Sequence, residues 1–166
     1  MEKQKRLDSV FMKIAKEIAT LSHCVRTKVG AVIVREGNVI SFGYNGMPSG
    51  MDNCCEVKSY VTPGTYDWAD HIKDLWPEED EVGRYKLETK REVLHAESNA
   101  ILKAAKTGIS TDGSTLYLTT SPCIDCSKLI IQAGIQRVVY LNEYRDISGL
   151  TFLKDFVEVQ QFTDEV

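Results

Sequence analysis

The chain lacks a long apolar run, an excess of basic residues and any internal repeat. A membrane-spanning helix needs about 18 or more consecutive apolar residues, and none is present. The opening Met1-Glu2-Lys3-Gln4-Lys5-Arg6-Leu7 is charged, with no apolar stretch of the kind a secretory signal requires, so a cytoplasmic protein without a membrane partner is expected. Lys and Arg number 20 against 24 Asp and Glu, a net charge of −4. That is the wrong sign for the basic face of a polynucleotide binder. With no repeat and no composition break, the 166 residues read as one domain, residues 1–166, carrying an insertion at about 51–92.

What is present is chemistry concentrated in two short pieces, Leu94-His95-Ala96-Glu97-Ser98 and Ser121-Pro122-Cys123-Ile124-Asp125-Cys126. Zinc prefers thiolate and imidazole in tetrahedral array, and a catalytic site keeps three protein ligands and one open position. His95, Cys123 and Cys126 supply that trio. Two cysteines three positions apart chelate one ion from the first turn of a helix, where backbone N–H groups favour thiolate. Pro122 fits just ahead of such a turn because it needs no N–H there. Glu97, two positions from His95, is placed to move a proton between a metal-activated water and a substrate nitrogen without ligating the ion. A redox Cys-x-x-Cys, half of a structural zinc knuckle, or a core histidine each explains part of this set, and none of them requires Glu97.

Five cysteines is an odd number. With two given to metal, Cys24, Cys54 and Cys55 are expected as free thiols in a reducing compartment.

In chain order, residues 7–21 carry Leu7, Val10, Phe11, Ile14, Ala15, Ile18 and Leu21 at three- and four-residue steps, an amphipathic helix. A polar loop follows at 22–28, whose Arg26 and Lys28 suit a phosphate. Two β-branched runs, 29–34 and 39–44, flank Glu36-Gly37-Asn38 and read as a hairpin. Asn45 stands at its exit with a donor and an acceptor, in a loop rich in turn residues. Residues 51–92 read as the least regular part, with Pro63, Gly64, Pro77 and Gly83 among the aromatics Tyr60, Tyr66, Trp68, Trp76 and Tyr85. A connection of that length is expected to be a lid or binding loop. Residues 91–106 read as a helix with Ala100, Ile101, Leu102, Ala104 and Ala105 inward, 114–120 as a strand, 123–133 as a helix and 137–141 as a strand. That order makes a right-handed βαβ unit with its ligands near strand C-terminal ends. A short helix through Leu150 and Leu153 and a strand at 156–159 are expected after it.

With these residues in place, the chain resembles the cytidine deaminase superfamily over roughly residues 7–146, on His95-Ala96-Glu97 and Ser121-Pro122-Cys123-x-x-Cys126. Within it the chain looks like the deoxycytidylate (dCMP) deaminase branch. That narrower likeness rests on Val29-Gly30-Ala31-Val32-Ile33-Val34, Gly43-Tyr44-Asn45-Gly46-Met47-Pro48-Ser49-Gly50, His95-Ala96-Glu97-Ser98-Asn99-Ala100-Ile101 and Tyr144-Arg145-Asp146. The resemblance implies a three-layer αβα fold with a five-stranded mixed sheet, zinc on His95, Cys123 and Cys126, and Glu97 as proton shuttle. It also implies dCMP as substrate, with Ala96 and Ser121 on the base, Asn45 on the sugar, Tyr144 on the ring, and Arg26 and Lys28 on the phosphate, Lys106 being a weaker cation for it. A homohexamer is implied, activated by dCTP with Mg2+ and inhibited by dTTP at a separate site built partly from Asn45, Gly46, Ser49 and Gly50. A second, structural zinc is found in some relatives. Here only Cys24, Cys54, Cys55, His23 and His71 could hold one, and no clean ligand spacing appears among them.

Two other functions share part of this chemistry. A polynucleotide-directed deaminase would need a basic, aromatic-lined track. A zinc-stabilised binding module would need a fourth ligand and no proton shuttle.

Overall fold

In chain order the elements are α1 (Glu2–Thr20), β1 (Gly30–Arg35), β2 (Asn38–Tyr44), β3 (Glu56–Tyr60), α2 (Ile72–Leu75), β4 (Glu78–Glu79), β5 (Arg84–Thr89), α3 (Ala96–Lys106), β6 (Thr115–Thr120), α4 (Ile124–Gln132), β7 (Arg137–Asn142), α5 (Ser148–Leu153) and β8 (Glu158–Gln161). The computed structural model describes residues 2–61 and 72–163, so Pro63, Gly64, Tyr66, Trp68 and His71 lie outside the described residues. β1 and β2 form the expected hairpin, turning through Glu36 and Gly37 at φ 51° and 77°. Left-handed residues at both turn positions match the twist of the paired strands.

Strand order is β2-β1-β6-β7-β8; β1 runs antiparallel to β2 and β6, while β6, β7 and β8 run parallel. This is the expected five-stranded mixed sheet. Its two faces follow the period of two in the strands. Ala31, Ile33, Leu116, Leu118, Val138 and Tyr140 pack with Ala96 and Ala100 of α3, Ile130 of α4, and Leu150 and Leu153 of α5. Val32, Val34, Tyr117 and Val139 point the other way, onto Phe11, Met12 and Ala15 of α1. Helices on both faces complete three layers.

α1 begins five residues earlier than expected and buries Asp8, Phe11, Met12, Ala15 and Ala19. Val10 and Leu21 stay 51% and 49% exposed. Successive helical residues point about 100° apart, so Val10 is turned off the face that Phe11 occupies. Asp8 is buried with partners. It accepts two bonds from Arg137, at 2.8 and 2.7 Å, one from the Tyr117 hydroxyl at 2.7 Å and one from Gln4 at 2.9 Å. Burial opposes its ionisation, and these bonds outweigh burial, holding its carboxyl below the ordinary value of 3.8. The cluster fastens α1 to β6 and β7.

Three further expectations are corrected. α3 starts only at Ala96, because Leu94 is extended and pairs with Gly46, and Leu102 and Ala105 face solvent. β8 lies two residues later than the expected strand. The insertion, expected to be irregular, forms a second antiparallel sheet of order β3-β5-β4. Tyr60 packs on Tyr85 there, with ring centroids 5.6 Å apart, and Lys58 pairs with Asp80.

Cys24 and Cys55 are not free thiols: they are joined by a disulfide, and only Cys54 of that group is free. The sequence separates them by 31 residues, so their meeting depends on the insertion folding back onto the 22–28 loop. Met47 and Val93 pack on the pair. Among the described residues, His95, Cys123 and Cys126 are the only group of three or more metal-ligating side chains.

Candidate active site

β2 and β6 run in the same direction, both antiparallel to β1, so their C-terminal ends meet at one edge of the sheet. α4 follows β6 directly. The Gly46–Leu94 bridge, with N–H donors at 3.1 and 2.9 Å, brings the start of α3 to the end of β2. Sites of open α/β sheets form at such strand ends.

Close approach of backbone fixes both helices. A Cβ on Gly43 would fall inside 3.0 Å of the Ala96 carbonyl and the Ala100 amide, so only glycine lets α3 lie this close to β2. The Ser41 hydroxyl donates to Ala100 O at 2.7 Å and the Asn99 amide to Tyr44 O at 2.7 Å. On the other side, Gly149 abuts the backbone of Pro122 and Cys123. The buried Ser127 hydroxyl lies 2.9 Å from Cys123 O and 3.1 Å from Gly149 O. The turn carrying the cysteines is therefore held by α5 as well as by its own helix.

His95 and Cys123 are the N-cap residues of α3 and α4. Nδ1 of His95 lies 3.5 Å from Cys123 Sγ and 3.4 Å from Cys126 Sγ. A tetrahedral zinc with bonds of about 2.3 Å to sulfur and about 2.05 Å to nitrogen would hold those atoms about 3.6 Å apart. The donor set and its spacing fit zinc.

Charge in the site is arranged around these helix starts. A hydrogen bond from the Cys126 thiol, then the His95 ring, takes Cys123 down from 9.0 to about 4, which favours its thiolate. Its sulfur in turn raises His95. Cys126 is pushed up by the bond it gives to Cys123 and by burial. Glu97, in the first turn of α3, is 4% exposed. Burial raises its carboxyl from 4.5 to about 7, the range a proton carrier needs near neutral pH.

His95, Glu97 and Cys123 line a cavity of about 760 Å3, within the size range of small-molecule sites. Ala96, Ser121, Asn45, Arg26 and Tyr144 line it with them. Two predicted ligand groups are already engaged. Asn45 accepts from Val29 N–H at 2.8 Å and donates to Thr27 O at 2.8 Å. The Ser121 amide donates to Asn142 O at 2.8 Å, and the Ser121 hydroxyl accepts from Tyr144 N–H at 2.8 Å. What Ser121 can still offer a base is its carbonyl and the proton of its hydroxyl. Lys28 and Lys106 are exposed and are not among the lining residues, nor are Gly46, Ser49 and Gly50.

Sequence reasoning missed a whole wall. Lys86, Glu88 and Thr89 of β5, with Glu56 of β3 and Arg145 beside Tyr144, line the cavity. Glu56 accepts from the amides of Val25 and Arg26 at 2.9 and 3.2 Å, and Arg26 Nη1 donates to Thr89 Oγ1 at 3.1 Å. The available signal was the alternation of Tyr85 and Leu87 with Lys86 and Glu88, a period of two inside an insertion otherwise read as loop.

A family model described as the cytidine and deoxycytidylate deaminase zinc-binding region matches residues 5–142. The deoxycytidylate deaminase of Enterobacteria phage T4 is 36% identical over 151 residues, spanning 82% of this chain and 78% of that one. The deoxycytidylate deaminase of Saccharomyces cerevisiae is 37% identical over 158 residues, 94% of this chain and 45% of that one. Among solved structures, the crystal structure of dCMP deaminase from the cyanophage S-TIM5 in complex with dCMP and dUMP superposes with a TM-score of 0.75 at 40% identity, covering 95% of this chain and 97% of that one.

Proposed function

Because the chain belongs to the cytidine and deoxycytidylate deaminase family, matched through its zinc-binding region, we propose that it hydrolyses dCMP to dUMP and ammonia. The observation that carries this reading is Glu97, a buried carboxyl sharing one cavity with His95 and Cys123 of a zinc-competent trio. A structural zinc site has no use for it. The names of the relatives, deoxycytidylate deaminases of a phage and a yeast and a cyanophage enzyme crystallised with dCMP and dUMP, support the same substrate.

His95, Cys123 and Cys126 would hold the metal. When bound, zinc lowers the pKa of a coordinated water toward 7 and makes it a nucleophile at working pH. Glu97 accepts a proton from the attacking water and gives it to N3 of cytosine, which makes C4 electrophilic; it then takes the second proton of that water from the hydroxyl now on C4 and delivers it to the departing amino group, which leaves as ammonia. The backbones of Ala96 and Ser121 orient the base, Asn45 offers the sugar the amide hydrogen that its bond to Thr27 leaves over, and Tyr144 packs on the ring. Arg26 takes the 5′-phosphate. Lys86 and Arg145, the other cations of the wall, add to its field, and Lys28 acts only from outside the lining. Acidic Glu56, Glu88 and Glu143 on the same walls disfavour a polynucleotide track.

Regulation belongs to the same proposal. The Asn45, Gly46, Ser49 and Gly50 loop takes dCTP with Mg2+ as activator or dTTP as inhibitor. The Gly46–Leu94 bridge supports this, because it joins that loop to the residue before His95. A homohexamer and a cytoplasmic location complete the reading. No helix among the described residues is long and apolar enough to cross a membrane.

Ammonia release from dCMP, CMP, deoxycytidine and an oligonucleotide, each with dCTP and Mg2+, with dTTP, or alone, tests substrate and regulation together. dCMP should exceed deoxycytidine by at least about tenfold, the value of one charge-assisted phosphate contact. Equal turnover of the two would remove Arg26 from phosphate binding, and turnover of the oligonucleotide alone would overturn the substrate. Sedimentation velocity reads the oligomer.

A further inference from the structure

The Cys24–Cys55 disulfide ties the rim of the cavity to the insertion. Its Cα atoms are 5.2 Å apart, a span a disulfide bridges without backbone movement. Cys24 lines the cavity and opens the loop that carries Arg26. Cys55 directly precedes Glu56, whose carboxylate receives the amides of Val25 and Arg26. The Cys55 carbonyl accepts from Lys90 N–H at 2.9 Å, just past β5, and Thr89 of β5 receives the Arg26 guanidinium. One covalent link and a short set of polar ones therefore hold the Arg26 loop against the β3–β5 wall. Only the covalent link can be made and broken by chemistry.

The surroundings favour a dithiol pair over a metal site. Both cysteines are 1% exposed and packed with Val93 and Met47, and among the described residues no His, Asp, Glu or further Cys joins them in a group of three ligand atoms. The neighbouring Cys54 is exposed and unbridged. Where thiols are otherwise kept reduced, a disulfide is usually transient, and either catalytic or redox-sensing.

We propose that Cys24 and Cys55 form a redox-modification site, with low-molecular-weight disulfides and thiols as its reaction partners, and that closing the bond locks the Arg26 wall of the cavity. In the oxidising direction one cysteine thiolate attacks a small disulfide, expelling one small thiol and leaving a mixed disulfide. The second cysteine, as thiolate, attacks the protein sulfur of that bond and expels the second small thiol. Two protein thiols give up two protons and two electrons, and the small disulfide takes them to become two thiols. Reduction is the reverse.

The effect on catalysis rests on the dCMP reading above, whereas the bond itself does not. The test equilibrates the full-length zinc-loaded protein in buffers of varied oxidised to reduced glutathione and reads alkylation of each cysteine by mass spectrometry. Cys24 and Cys55 should become protected together and Cys54 should stay reactive until it is itself capped. Amide exchange at residues 24–29 and 84–89 should be faster in the reduced form. Reduction should raise KM for dCMP about fivefold with kcat within about twofold, since the loosened wall loses preorganisation for binding. Cys24→Ser with Cys55→Ser should sit at the reduced values in every buffer, and Cys54→Ser should respond as the parent does.

Independent alkylation of Cys24 and Cys55 in oxidising buffer would overturn the proposal. So would a second equivalent of zinc protecting them, or unchanged KM and exchange while the pair interconverts. If dCMP is not turned over in either state, the deaminase reading fails, and the alkylation and exchange results still decide the site.

Discussion

Glu97→Gln keeps the size of the side chain and its capacity to hydrogen-bond while removing its ability to carry a proton. Two magnitudes follow from the position of the residue. General acid–base catalysis contributes about 10²–10⁴-fold, so turnover of dCMP should fall by that factor with about one zinc per chain retained. The second effect has the opposite sign. Burial moves the carboxyl from 4.5 to about 7, and at about 1.4 kcal/mol per tenfold change in proton affinity the ionised group costs the fold about 3 kcal/mol. A raised carboxyl favours folding fully below pH 4.5, and that advantage is lost as pH rises to about 7. In chelator-treated protein, glutamine should therefore give a fold more stable than the parent by up to about 3 kcal/mol at pH 8, with the gap closing toward pH 4.5. Ammonia release, zinc content and denaturant melts at both pH values measure all three quantities. A variant retaining more than about a tenth of the parent rate would refute the proton-shuttle role. Equal stability at pH 8 would refute the burial argument.

Asp8→Ala removes the carboxylate that Arg137 and the Tyr117 hydroxyl share, and breaking such a buried pair should cost about 3–5 kcal/mol in a thermal or denaturant melt. KM for dCMP should not change, since α1 covers the sheet face away from the cavity. Because the Asp8 carboxyl lies below 3.8, its contribution is complete above that pH, and the difference between parent and variant should shrink as pH falls below it. Gly43→Ala would force α3 away from β2; we expect a lower melting temperature together with a loss of turnover, in contrast to the stability-only effect at Asp8. Chelation should abolish ammonia release and stoichiometric zinc should restore it; activity persisting in protein shown to be zinc-free would exclude the metal from the reaction.

The strands β1, β2, β6 and β7 were legible because each carries its own period. Ala31, Val32, Ile33 and Val34 alternate between two helical layers, and that pattern is local to the segment. The His95, Cys123 and Cys126 set was legible because ligand chemistry restricts residue type and Cys-x-x-Cys spacing restricts geometry. The start of α3 was not, since the chain stays extended to Leu94 only because Gly46, 48 positions earlier, pairs with it. Nor was the burial of Asp8, a carboxylate whose partners Tyr117 and Arg137 arrive from separate strands more than a hundred residues away.

By itself, the sequence determined which segments could be strands and helices and which side chains could grip a metal and move a proton, since both depend on residue type and short spacing. Tertiary structure decided what surrounds them. It turned the insertion into a sheet, aimed β5 at the cavity, committed Asn45 to the loop beside it, joined Cys24 to Cys55 and buried Glu97. Each of those outcomes needs a neighbour supplied from elsewhere in the chain, and burial and long-range pairing exist only once the layers have closed.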